Sequence, residues 1–283
     1  MKPSIWTDAF VELQPEEAVA RMARMGWKYI ELADKHWRDI DKRQNPEQDF
    51  VKLKKQCAHL RVEILQMHGP MFNPCEEEDK LQGHLATSKR ALQWASILEV
   101  QWVVFHPGCV PMAEDERLAE EVRQKNLALF RYLVADAQRL NVRIAVENIF
   151  DNEKQGRRTF GAIPPDLLWL VQNTPPGMLG VCWDTGHGNI QKLNQYRSII
   201  TLGKHLVATH IADNDTSKDQ HLLPFEGNID WKAVISGLRI IGYEGLFNLE
   251  IGGAVHKVPL DIRESKLRYA LELIMFMIES ESF

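Results

Sequence analysis

The sequence predicts an α/β fold, a single (β/α)8 barrel of the TIM type. Three observations lead there. Short apolar runs alternate strictly with amphipathic segments from end to end. Parallel neighbours need a crossover between them, so strict alternation implies a parallel sheet. The 283 residues suit one closed barrel, which takes about 250. Histidines and carboxylates also recur where the apolar runs stop, and a barrel gathers its strand ends on one functional rim. No GxGxxG follows the first run and no GxxxxGK[ST] occurs, so an open nucleotide-binding sheet loses its main support. No linker or low-complexity segment divides the chain, and residues 1–283 are read as one domain.

The elements follow in order. Ser4–Thr7 is a first short strand. Pro15 to Met25 is a helix, with Pro15 suited to its first turn and Gly26 to its close. Trp27–Leu32 is the second strand and Asn45 to Leu60 the second helix. Val62–Gln66, the third strand, runs into Met67-His68-Gly69-Pro70, and Glu76 to Leu98 is a long helix. Trp102–Phe105 ends in His106-Pro107-Gly108, and Ala113 to Leu140 is helical. Arg143–Val146 ends in Glu147-Asn148, and Pro164 to Gln172 is a short helix. Leu179–Trp183 ends in Asp184-Thr185-Gly186-His187, with Ile190 to Leu202 helical after it. Leu206 to Ala208 leads into a polar cluster holding His210, Asp213, Asp219 and His221. Gly227, Asn228 and Asp230 turn the chain and start the helix Trp231 to Ile241. Gly245–Leu249 ends in Glu250, and Val258 to Ile278 closes the chain. The longest loop, Phe150 to Ala162, carries Lys154, Arg157 and Arg158 and is read as a lid or substrate loop.

Composition narrows the function classes. A net charge of −5 gives no global pull toward nucleic acid. The cysteines Cys57, Cys75, Cys109 and Cys182 form no CxxC pair, which fits a reduced compartment. No signal-like apolar leader and no stretch of roughly 20 apolar residues is present. A soluble cytoplasmic protein is expected.

The strand ends carry the chemistry. They offer His68, His106, Glu147, Asp184, His187, His210, Asp219, His221 and Glu250. His68 and His106 each precede a Gly or Pro turn, and capping that turn is the plain alternative to a site role. Glu147 and Glu250 are harder to explain away, because an unpaired carboxylate at the end of a buried strand is costly. Two glutamates, an aspartate and a histidine make an oxygen-rich set suited to Mn²⁺, Mg²⁺, Co²⁺ or Zn²⁺. The further histidines shift the balance toward Zn²⁺ or more than one ion. Trp6 and Phe72 are candidate apolar walls for a ligand, with plain core as the alternative.

These residues sit in MHGP (67–70), FHPG (105–108), VEN (146–148), WDTGH (183–187), THIADN (209–214), DQH (219–221), GNIDW (227–231) and GYEGLFNLEI (242–251). Over essentially the whole chain this pattern resembles the xylose-isomerase-like barrel superfamily of sugar isomerases, sugar epimerases and endonuclease IV. The epimerase branch of the resemblance implies one divalent metal on Glu147, Asp184, His210 and Glu250. It also implies Glu147 and Glu250 as the catalytic proton-transfer pair, with His187 touching a substrate oxygen. His68 and His106 are candidates to bind a hydroxyl or phosphate or to hold another ion, and His221 is a further candidate substrate-binding residue. The endonuclease branch implies up to three zinc ions on all nine residues.

GNIDW and GYEGLFNLEI resemble the sugar group. The chain reads IFDNEKQGRRTFG where the endonuclease has a Gly/Gln-rich segment, and Asp213 and Asp215 would face phosphates poorly. The expected function is therefore a metal-dependent sugar or sugar-phosphate isomerase/epimerase working through an enediolate. A zinc-dependent abasic-site endonuclease is the alternative. The partner is a small sugar, with nucleic acid only under the alternative, no membrane, and room for a homo-oligomer.

Overall fold

The structure is a computed structural model that describes residues 1–73, 75, 78–108, 110–112, 116–151 and 158–281. It runs β1 (Lys2–Trp6), α1 (Pro15–Met25), β2 (Tyr29–Leu32), α2 (Asp34–Asp41), α3 (Pro46–Leu60), β3 (Glu63–His68) and α4 (Glu78–Leu98). Then come β4 (Trp102–Phe105), β5 (Pro111–Met112), α5 (Glu116–Arg139), β6 (Arg143–Glu147), β7 (Arg158–Thr159), α6 (Pro164–Gln172) and β8 (Leu179–Asp184). The last part holds α7 (Thr185–Ile190), α8 (Gln195–Leu202), β9 (Leu206–His210), α9 (Trp231–Ile240), β10 (Leu246–Leu249), α10 (Gly252–Val255) and α11 (Leu260–Glu279).

Eight parallel strands form one sheet in the order β10-β1-β2-β3-β4-β6-β8-β9. The seam between β9 and β10 closes just beyond β9. There Ile211 N donates to Asn248 O at 2.8 Å, and Glu250 N donates to Ile211 O at 3.0 Å. Thr209 Oγ1 adds a bond to Leu246 O at 2.6 Å, a side chain standing in where the ladder is thin. The fold is the predicted TIM barrel.

Strands enclosed on both faces read as near-continuous apolar runs. All six residues of β8 are buried. Val104, Ala145, Cys182 and Ala208 pack together as a group of small residues contributed by β4, β6, β8 and β9. The large side chains join the main core with the helices. At Gly26 the chain leaves α1 in the left-handed region, φ +99°, which glycine adopts without a Cβ penalty. Asp230 caps α9 through Ala233 N at 3.1 Å. No helix among the described residues is long and apolar enough to cross a membrane.

Four local features depart from the sequence reading. Asp34–Asp41 is a helix, held by one buried face of His36, Trp37 and Ile40. The predicted helix Ile190 to Leu202 begins only at Gln195, as α8 capped by Asn194, and a separate helix, α7, ends at Ile190. β5 and β7 pair antiparallel and tie the loops after β4 and β6. α10 inserts a short turn after β10. The strand ends also run longer: His68, Glu147, Asp184 and His210 are the last residues of their strands. Glu76, Cys109 and Ala113, and Lys154 and Arg157 of the predicted lid loop, lie outside the described residues. Arg158 is in β7 and pairs with Asp166.

Candidate metal and active site

Strand register brings the key side chains to one rim. Asp184 and His210 are lateral neighbours across β8 and β9, and Glu147 faces Cys182 across β6 and β8. Glu250 follows β10 directly. Ligand atoms of Glu147, Asp184, His210 and Glu250 all lie within 4.8 Å of one another, and all four residues are buried. His210 Nδ1 is the hub, 3.1 Å from Glu147 Oε1 and 3.0 Å from Glu250 Oε2.

Each of the four keeps one buried polar atom without a hydrogen bond: Glu147 Oε2, Asp184 Oδ2, His210 Nδ1 and Glu250 Oε2. Buried polar atoms are normally hydrogen-bonded, so four that have at most ion-pair contacts, on four clustered residues, point to a further partner. Three carboxylates and an imidazole are the donor set of a divalent cation, and the residues fit one.

The rest of Asp184 is fixed by its neighbours. Asp184 Oδ1 caps α7 by accepting from His187 N at 2.5 Å, leaving Oδ2 free. Asn148 clamps the same strand end: Asp184 N donates to its Oδ1 at 2.6 Å, and its Nδ2 donates to Asp184 O at 3.0 Å. Thr185 Oγ1 donates to Ala212 O at 2.8 Å and holds the start of α7 against the loop beyond β9.

The second tier surrounds this centre. His68, His106 and Glu147 form a further cluster with metal-ligand spacing. His106 Nε2 is 3.2 Å and His68 Nε2 3.6 Å from Glu147 Oε2. His68 also does what the turn-capping alternative expected, since its Nδ1 bonds Gly69 O at 2.8 Å. His187 Nδ1 bonds Asn148 O at 2.7 Å, and its Nε2 lies 3.4 Å from Asp219 Oδ2. His221 Nε2 meets the same oxygen at 2.7 Å, while its Nδ1 bonds Glu250 O at 3.0 Å. All nine predicted residues therefore belong to one connected network.

Burial and charge pull these groups in opposite directions. Burial raises Glu147, but His210 and His106 outweigh it and hold the carboxyl well below its usual range. Glu250 is likewise brought down, against burial, to about 2 by His210 and His221. Asp184 goes the other way: burial, reinforced by Glu250 and Glu147, pushes it to about 7. Burial lowers His210, while Cys182, Glu147, Glu31 and Glu250 hold it well above its usual value. His68 rises against burial to about 9 beside Glu147, and His221 to about 10 beside Asp219. The imidazolium protons here neutralise the acids, a role a bound cation takes over by displacing them.

Sequence reading missed Glu31, the third residue of β2. Its carboxylate is fully buried and lies 3.0 and 3.2 Å from His210 Nε2. Gln66 Nε2 and Asn248 Nδ2 also donate to its Oε2. A carboxylate on one ring nitrogen places the proton there and presents the other nitrogen as a ligand. The signal was an acid inside the apolar run Ile30-Glu31-Leu32.

Asp213 plays a structural part. It is fully buried and faces no ligand. Its oxygens accept from Asn214 N, Ile229 N, Phe225 N and Trp231 Nε1, tying the loop between β9 and α9 together. It therefore carries no weight against phosphate binding.

The centre opens into a cavity of about 290 Å³ lined by Trp6, Asp8, His106, Glu147, His187 and Glu250 among others. Trp6 is a wall, as the sequence suggested. Phe72 stacks on His84 at 4.7 Å between ring centroids and is not among the lining residues.

The fold and the site together define a (β/α)8 barrel with a candidate metal centre at its C-terminal rim. Residues 19–274 match the family described as Xylose isomerase-like TIM barrel, and the chain belongs to that family. A curated relative is the uncharacterized protein MJ1311 of Methanocaldococcus jannaschii, 28% identical over 194 residues, or 67% of this chain and 64% of that one. The chain thus spans just under two thirds of that relative's length. Among solved structures, the IOLI protein with a binding zinc atom is similar at a TM-score of 0.81 and 18% identity, covering 100% of this chain and 99% of that one. D-psicose 3-epimerase in the presence of D-fructose is similar at a TM-score of 0.79 and 16% identity, covering 99% and 100%.

Proposed function

We propose that the protein is a metal-dependent sugar isomerase or epimerase that moves a proton on the carbon next to a carbonyl. One observation carries this reading. Glu147 and Glu250 flank His210 Nδ1, each with a buried carboxylate oxygen that makes no hydrogen bond, and both line a cavity sized for a small molecule. The similarity in fold to sugar epimerases supports it. Glu147, Asp184, His210 and Glu250 would hold the ion. Such an ion supplies Lewis-acid stabilisation of the charge that develops on the carbonyl oxygen.

Glu147 and Glu250 are the catalytic acid–base pair, and both are held low enough to serve as bases. The ionised one takes the proton from carbon, and the other, first protonated by solvent, returns one. Return to the opposite face of the same carbon gives an epimer; return to the adjacent carbon gives an isomer. His106, His187 and His221 reach the cavity and are suited to hold hydroxyl oxygens, with His68 behind them. The protein works in the cytoplasm on a small sugar.

The experiment is solvent-deuterium wash-in, followed by NMR on ketoses with metal-loaded protein. Wild type should label the carbon next to the carbonyl. Glu147→Gln and Glu250→Gln should each lose about 10²–10⁴ of the rate, the usual share of one general base.

A second reading has its own observation. The His68–His106–Glu147 cluster, and Asp219 between His187 and His221, could hold further zinc ions for phosphodiester hydrolysis. Cleavage of an abasic duplex, lost in His68→Ala or His106→Ala, with no labelling of any sugar, would replace the first reading with this one.

A further inference from the structure

The cavity has a second polar wall, made of residues outside the candidate metal centre. Asp8 sits in the 3₁₀ turn Thr7–Phe10 that follows β1, and His256 directly follows α10. Both line the cavity that Glu147, Asp219 and Glu250 also line. His256 Nε2 is 3.2 Å from Asp8 Oδ2 and 2.9 Å from Asp8 O.

The location matters. Barrels of this architecture frequently hold a phosphate group beyond the last strands, at the start of a short extra helix. Here β10 is the eighth barrel strand, α10 is the short helix, and Gly252-Gly253 open it. The space over that turn is already taken. A methyl group on Gly252 would meet His256 Cε1 at 2.9 Å and Asp8 Oδ2 at 3.4 Å. A carboxylate at this spot repels a phosphate. No lysine or arginine is among the described lining residues.

A hydroxyl group meets none of this opposition. It donates to a carboxylate and accepts from an imidazole N–H. The Asp8 carboxylate offers about four lone-pair sites. His256 Nε2 bonds Asp8 O and lies 3.2 Å from Oδ2.

We propose that Asp8 and His256 form the specificity wall for the hydroxyl-bearing end of the substrate, and that they select an unphosphorylated sugar over its phosphate ester. This rests on the isomerase/epimerase reading and names the substrate class for it.

The test is deuterium wash-in by the metal-loaded full chain, run over a panel of free ketoses and their terminal phosphate esters. Wild type should label free sugars and discriminate against the esters. Asp8→Asn should raise KM for a free sugar by about 10–100-fold, the worth of a hydrogen bond to a charged group, with a smaller fall in kcat. It should also narrow the discrimination, because the repelling charge is gone. Asp8→Glu keeps that charge and should keep the discrimination. Preference of wild type for the esters would overturn the inference and leave the isomerase/epimerase reading standing. So would an Asp8→Asn protein that loses kcat and kcat/KM equally with unchanged discrimination. No labelling of any sugar by protein shown to hold metal would overturn that reading and this inference with it.

Discussion

Glu31→Gln isolates the residue behind the metal site. In the native barrel Glu31 Oε2 accepts from Gln66, Asn248 and His210, while Oε1 lies 3.2 Å from His210 Nε2. Glutamine has nearly the same volume. Its oxygen can take the place of Oε2 and keep the bonds from Gln66 and Asn248, so the metal-free fold should survive. Its amide nitrogen then replaces Oε1, so His210 Nε2 keeps one neutral acceptor and loses the negative charge and the second oxygen. The imidazole is held less firmly in the tautomer that presents Nδ1 toward Glu147 and Glu250. Loss of such a partner behind a ligating histidine costs roughly 10–100-fold in metal affinity, or about 1.4–2.7 kcal/mol. Calorimetric titration of metal-free protein with Zn²⁺ or Mn²⁺ reads this directly, with thermal melting as the fold control. An affinity within about twofold of wild type, while His210→Ala abolishes binding, would refute the reasoning.

Two further outcomes follow from the same geometry. Metal binding should tighten as pH rises, because Asp184, pushed to about 7, and His210, held well above its usual value, must both shed protons to ligate. Proton release measured from buffer-dependent heats should therefore be larger below pH 7 than above it, and a pH-independent affinity would contradict the assignment. Asp213→Asn should destabilise the fold by about 2–6 kcal/mol, since an amide NH₂ replaces an oxygen that accepts from two buried donors. Urea unfolding would show this as a lower midpoint at constant slope, and an unchanged midpoint would show that these bonds carry little.

The barrel and its rim were legible because the cost of burying charge writes itself into the sequence. Glu147 and Glu250 stand out at the ends of apolar runs that have no other use for an acid. Glu31 carries the same mark, but it lies inside the run Trp27–Leu32 and not at its end, where the other acids stand out. The role of Asp213 was hidden for a different reason. Its partners Phe225, Ile229 and Trp231 lie 12 to 18 residues downstream, and only the folded loop brings their N–H groups to one carboxylate. The glycines of Thr185-Gly186-His187-Gly188 conceal a helix that exists because Asp184 caps it. The β5–β7 ribbon joins residues more than forty apart, a pairing with no local signal.

The proposed ligands of a divalent ion are four buried residues on one rim, Glu147, Asp184, His210 and Glu250. Anomalous diffraction at the zinc or manganese edge, on crystals of metal-loaded protein, tests this assignment most directly. The predicted result is a peak bonded to Glu147, Asp184, His210 Nδ1 and Glu250, at about 2.0–2.3 Å. A peak seated elsewhere with those four residues unligated, or no peak at saturating metal, would contradict it.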